Sequence, residues 1–201
     1  VDPVSIDEKN YRPSVPPEAY DPMASFGSMR LGGFGTLGLH WVGDLSFDGT
    51  VDVQGDQGEL LLLIGRGGAQ HVCRIDVATG KATLTMQNGA VGYDADDGKT
   101  VRSRRAETNV RGSGSYRLQL ANVDAELRMW IDDRRVEFDG PTTYPVPQDD
   151  RPTWSPEEPG DLAPVGIGTR GLAVNIERLR VWRDIYYVAT DDNVNMHEYN
   201  V

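Results

Sequence analysis

Residues 161–187, DLAPVGIGTRGLAVNIERLRVWRDIYY, decide the fold. Leu172, Val174 and Ile176 alternate with small or polar residues, and Leu179 and Val181 resume the alternation after a slip of one place. A period of two sends alternate side chains to one face of a strand, and a one-residue slip within it marks a β-bulge. Gly166, Gly168 and Gly171 supply bends around these strands. The stretch is expected to form the closing strands of an antiparallel β-sandwich, and it carries no catalytic chemistry.

Working outward, the same short pattern recurs upstream in HWVGDLSFDGTVDV, GELLLLIGR, QHVCRIDVATG, KATLTMQ, SYRLQLANV, AELRMWIDD and RRVEFDG. Ala78-Thr79-Gly80 and Asp132-Asp133 are the short turn-prone connections expected between adjacent antiparallel strands. Leu118 and Leu120 share a face with Tyr116, and Leu127, Met129 and Ile131 share another. These residues, with Ile167, Val174 and Ile176, form the expected core; Arg117, Gln119, Arg128 and Trp130 fall on the opposite faces. Long helical periodicity is missing, so the fold class is all-β. The domain reading is a Pro/Gly-rich N-terminal arm over residues 1–38, a β-sandwich over 39–190 and a polar C-terminal tail over 191–201. Residues 89–110 and 141–159 are charged or proline-rich and are expected to be long surface loops, where function on such scaffolds concentrates.

The chain has 201 residues, 38% of them hydrophobic, enough to bury the core of one sandwich. Its formal charge of -11, from 31 acidic against 20 basic residues, repels phosphate backbones, so nucleic acid is not an expected partner. Cys73, the single cysteine, sits in a strand pattern and is expected to be buried and inert. No apolar run reaches the roughly 18 residues of a membrane-spanning helix, and the N-terminal stretch does not read as a charged and then apolar leader, so no membrane insertion is expected from this chain.

Each constellation that could carry chemistry meets a plainer reading. Glu137 and Asp139 share a strand face, as the carboxylates of a retaining glycosidase would, but Gly140 and Pro141 follow where a third acid would stand. His40, His71 and His197 are far apart and lack zinc-site spacing, and no metal or other cofactor is expected. The loop Asp94-Ala95-Asp96-Asp97-Gly98 misses the EF-hand spacing and reads as a solvated hairpin tip. Trp41, Trp130 and Trp182 lie in strand patterns where aromatics normally pack. Trp154, in RPTWSPEEP, is the expected ligand-binding platform.

RIDVATGKATL, GSYRLQLANVDAELRMWIDDRRVEFDG and DLAPVGIGTRGLAVNIERLRVWRDIYY together resemble the concanavalin A-like jelly-roll superfamily. More narrowly, LAPVGIGTRG and RDIYY make the chain similar to the sandwich domain inserted in planctomycete-type signal peptidase I. That resemblance implies an extracytoplasmic location, on the periplasmic side, with tethering to the inner membrane through a parent protein. The family's parent enzymes are serine endopeptidases using a Ser/Lys dyad. Ser28 lacks the acid and proline of the nucleophile box, and Lys81 and Lys99 sit in hairpins, so no catalytic residue carries over. The expected function is a non-catalytic accessory domain recognising envelope glycan, peptide or partner protein. The alternatives are a sugar-active hydrolase of the lectin-like fold, a carbohydrate-binding module, or a structural spacer.

Overall fold

A computed structural model describes residues 43–87, 92–95, 97–146, 152–155 and 160–184. The strands are β1 (Leu45–Gln54), β2 (Glu59–Arg66), β3 (Ala69–Asp76), β4 (Lys81–Gln87), β5 (Tyr93–Asp94), β6 (Thr100–Val101), β7 (Ser103–Glu107), β8 (Gly114–Val123), β9 (Glu126–Ile131), β10 (Arg134–Arg135), β11 (Val165–Arg170) and β12 (Ala173–Arg183). One sheet has the order β10-β9-β8-β1-β12 and the other β11-β2-β3-β4-β7, while β5 and β6 form a small ribbon. Every strand pairing is antiparallel. The chain enters the first sheet at β1, crosses to β2, and returns by β11 to β12, so first and last strands pair, as do second and second-last. This is an antiparallel β-sandwich with jelly-roll winding. The arm and tail expected at residues 1–38 and 191–201 lie outside the described residues, as do His40, Trp41 and His197.

Alternation explains the core. Phe47, Val51 and Val53 of β1 face Leu60, Leu62 and Ile64 of β2 across the sandwich, with Cys73, Ile75, Leu84, Leu118, Leu120, Leu127, Met129 and Ile131 in the same buried cluster. Two-residue turns fix the register: Gly67-Gly68, Asp124-Ala125 and Asp132-Asp133 all take positive φ at both positions, the type I′ arrangement whose twist matches that of the flanking strands. Gly58, at φ 113°, belongs to the corner between β1 and β2, and a Cβ there would come within 2.5 Å of the Gly171 carbonyl oxygen. The bulge read from residues 172–181 is present: Thr50 pairs with Glu177 and Asp48 with Arg180, leaving Arg178 and Leu179 opposite Gly49.

Three expectations need correction. The 89–110 stretch is not one long loop; it contains β5, β6 and β7, and β7 completes the second sheet. The strand read in RRVEFDG is only Arg134–Arg135, because Asp139 instead clasps β7, its amide donating to the Arg105 carbonyl and its carboxylate accepting from the Arg105 amide. Ile176 shares the inward face of Val51 but is 38% exposed, since β12 is an edge strand.

Cys73 is fully buried, its thiol against Met129 Sδ at 3.5 Å, and burial pushes its pKa up to about 12. Thiolate is the reactive form, so Cys73 is expected to resist Ellman's reagent in the folded chain and to react stoichiometrically in denaturant. Rapid labelling of the folded protein would contradict this packing.

Candidate functional site

The outer face of the first sheet collects side chains that the core does not use. Reading register across it, one row runs Arg180, Asp48, Gln119, Trp130, Arg135 and the next Trp182, Ser46, Ala121, Arg128. Ser46 and Ala121 leave a low floor between Trp182 on β12 and Arg128 on β9, three strand spacings or roughly 14 Å apart. Trp182 is 53% exposed.

Both walls are held by carboxylates set low in the sheet. Asp48 accepts from Arg180 Nη2 at 2.7 Å and from the Trp182 indole nitrogen at 2.8 Å, with Arg117 Nη2 at 4.0 Å. Burial alone would raise its pKa; the bonds from Arg180 and Trp182 and the charges of Arg180 and Arg117 outweigh burial and hold it low. The Arg180 guanidinium also lies 5.4 Å from the Trp182 ring centre, a cation–π contact. On the other side Glu126 accepts from Arg128 Nε at 2.8 Å and from Arg135 Nη2 at 2.9 Å, and the Arg128 hydrogen bonds keep its carboxyl below the ordinary value. Guanidiniums locked in this way retain free N–H donors in a fixed fork, and indole faces offer flat apolar area. Together they suit a ligand with hydroxyls at its edge and C–H groups on its faces.

The other candidates are placed as follows. Trp154 is 47% exposed, in a segment pinned by Asp161, which accepts from the amides of Thr153 (2.8 Å) and Gly68 (2.9 Å). It therefore sits by the β2–β3 turn of the other sheet. Trp130 faces outward, opposite Leu127, Met129 and Ile131, as the alternation of its strand requires; Trp182 does not pack in the core as expected of a strand aromatic, because the bulge places it outward. Glu137 and Asp139 line an open groove of about 1280 Å³ at the sandwich edge, together with Arg105, Arg111, Arg134 and Arg135. Asp139 there is engaged by the β7 backbone. Asp97 pairs with Lys99 at 2.8 Å, and Asp94 accepts from the Thr143 hydroxyl at 2.7 Å, so the two carboxylates of that turn among the described residues have partners. Among the described residues no group of three potential metal ligands converges. Among them, too, no helix is long and apolar enough to cross a membrane.

His71 belongs to the interior. Its Nδ1 lies 3.0 Å from the Tyr93 hydroxyl, and its ring packs 4.6 Å from that of Tyr144, whose hydroxyl donates to Asn122 Oδ1 at 3.0 Å. His71 Nε2 has no hydrogen-bond partner, and burial, assisted by the Arg66 charge, pushes the imidazole pKa down to about 4.

No protein-family model matches the sequence, and neither does any curated protein. Among solved structures, the chain is similar to the carbohydrate-binding module CBM66 from Bacillus subtilis, at 11% identity, TM-score 0.42, and coverage of 69% of this chain and 74% of that one. It is similar to sheep galectin-11 in complex with glycerol, at 12% identity and TM-score 0.44, covering 71% and 92%. A third similarity is to the galectin LEC-6 of Caenorhabditis elegans, at 8% identity and TM-score 0.46, covering 71% and 84%. No residue role is carried over from them.

Proposed function

We propose that this chain is a non-catalytic glycan-binding domain whose ligand lies on the outer face of the first sheet, across Ser46 and Ala121. The observation that carries the reading is the pair of anchored arginine–carboxylate clusters, each beside an indole, on either side of a floor of small side chains. Sugars need this combination, because their ring faces stack on aromatic carbon while their hydroxyls take up fixed donors. A host protein of signal peptidase I type, on the extracytoplasmic side, is the wider setting proposed. Its support is the resemblance in LAPVGIGTRG and RDIYY, together with the pairing of the first strand with the last, β1 with β12, where the Asp184 amide donates to the Asp44 carbonyl at 3.2 Å. A domain inserted into a host needs such adjacency.

A glycan array followed by calorimetry on the best ligand tests the binding claim. Trp130→Ala and Trp182→Ala are each expected to weaken binding about tenfold or more, with circular dichroism unchanged. A loss confined to Trp154→Ala would move the site to the 152–155 segment. Absence of binding to any glycan would leave a spacer or a protein-binding role.

A further inference from the structure

A small hollow of about 290 Å³ adjoins the proposed glycan trough, lined by Asp48, Gly49, Thr50, Arg117, Arg178 and Arg180. It lies between the Asp48–Gln119 row and the Thr50–Arg117 row, which stand roughly 7 Å apart at the rise of a strand. Three arginines therefore line the hollow beside one carboxylate, in a chain whose formal charge is -11. That carboxylate is already engaged, Asp48 taking Arg180 on one oxygen and Trp182 on the other. Arg117 is shared with Asp133, an exposed partner at 2.7 Å. Arg178 makes no ion pair or side-chain hydrogen bond among the described residues.

Arg178 also occupies unusual backbone. Its φ of 54° is left-handed, a region that arginine does not favour and that persists only where surrounding structure imposes it. The bulge imposes it here, and the added residue lets Arg178 line the same hollow as Arg180 although Glu177, its immediate neighbour, is the residue paired with Thr50 on that face. An unpaired guanidinium held by a strained bulge beside two others is an arrangement for an anion.

We infer that this hollow is a subsite for an anionic substituent of the glycan, the carboxylate of a uronic acid or a sulfate ester, with Arg178 as its principal donor. The inference rests on the outer-face reading for its glycan, but not for its anion. Glu177, exposed and opposite Thr50, and Asp133 stand at the rim as competing charges, so the preference should weaken as salt rises.

Four probes separate the sources: an oligogalacturonate and its methyl ester, and a sulfated galactan oligomer and its unsulfated counterpart. The wild type is expected to bind at least one acidic probe about tenfold more tightly than its neutral partner. Preference for the uronate identifies a carboxylate ligand, and preference for the sulfated oligomer a sulfate ester. Arg178→Asn, which tolerates the left-handed backbone, is expected to abolish the preference while keeping the neutral affinity, and Arg178→Lys to restore part of it. Equal preference in wild type and Arg178→Asn, or none in the wild type, overturns the subsite. A titration with inorganic sulfate, followed through the Trp182 indole N–H resonance, is independent of glycan. A shift present in the wild type and absent in Arg178→Asn, without glycan binding, keeps the anion subsite and sinks the glycan reading. Absence of any shift, with no glycan bound, sinks both.

Discussion

Replacing Phe47 with alanine is expected to lower the unfolding free energy by about 3–5 kcal/mol, the range for truncating a fully buried aromatic. Phe47 is 1% exposed and stands on β1, an interior strand that pairs with β8 on one side and β12 on the other, so its ring is covered from both sides. The loss combines the transfer of aromatic surface from water with the cavity left where neighbouring strands cannot close in. Val181 is the internal control. It pairs with Phe47 in register and shares its face, yet is 51% exposed at the sheet edge. Val181→Ala should cost about 1 kcal/mol or less, because little area leaves water there. Urea unfolding of both variants, with unchanged slope, measures the contrast. A larger cost at Val181 than at Phe47 would mean that the sandwich closes over β12 instead of β1.

Period-two alternation made most strands legible, since KATLTMQ and ELRMWI bury every second residue as their sequence requires. It did not reveal β7. In SRRAE the inward residue is Arg104, whose guanidinium donates to the carbonyls of Pro141 and Asp94 and so fills a core position with an apparently loop-like side chain. Nor could alternation say how deeply a strand is buried: the faces of Ile176 and Val181 follow from the pattern, whereas their exposure follows from β12 lying at an edge.

The candidate site divides in the same way. Trp130 faces outward by simple parity with Leu127, Met129 and Ile131, a signal present in the sequence. The partnership of Asp48 with Arg180 and Trp182 spans more than half the chain and depends on the pairing of β1 with β12 and on the bulge between them. An acid in LSFDGT looks like a solvated strand residue until the register brings two cations and an indole over it. Local pattern thus supplied faces, and long-range pairing supplied the chemistry.

Acid should weaken this fold through His71 before most of its carboxylates titrate. The imidazole lies fully buried between Tyr93 and Tyr144, with Arg66 near enough to disfavour a further positive charge. Its pKa is lowered from 6.5 to about 4 on folding, so between those values the unfolded chain binds a proton that the folded chain refuses. The contribution of neutral His71 is whole above pH 6.5, falls as pH drops through that window, and changes no further below about 4. At about 1.4 kcal/mol per pH unit, the loss amounts to about 3 kcal/mol. His71→Phe keeps a ring between the two tyrosines and removes the titration. It should cost about 1 kcal/mol at pH 7 through the lost Tyr93 hydrogen bond, then overtake the wild type as pH approaches 4.5. Urea unfolding of both proteins from pH 7 to 4.5 reads the crossing, with carboxylate effects common to the pair. Parallel stability profiles would show that His71 takes up its proton as readily in the folded chain as in the unfolded one, and that the buried cluster of His71, Tyr93, Tyr144 and Asn122 is wetter than its packing implies.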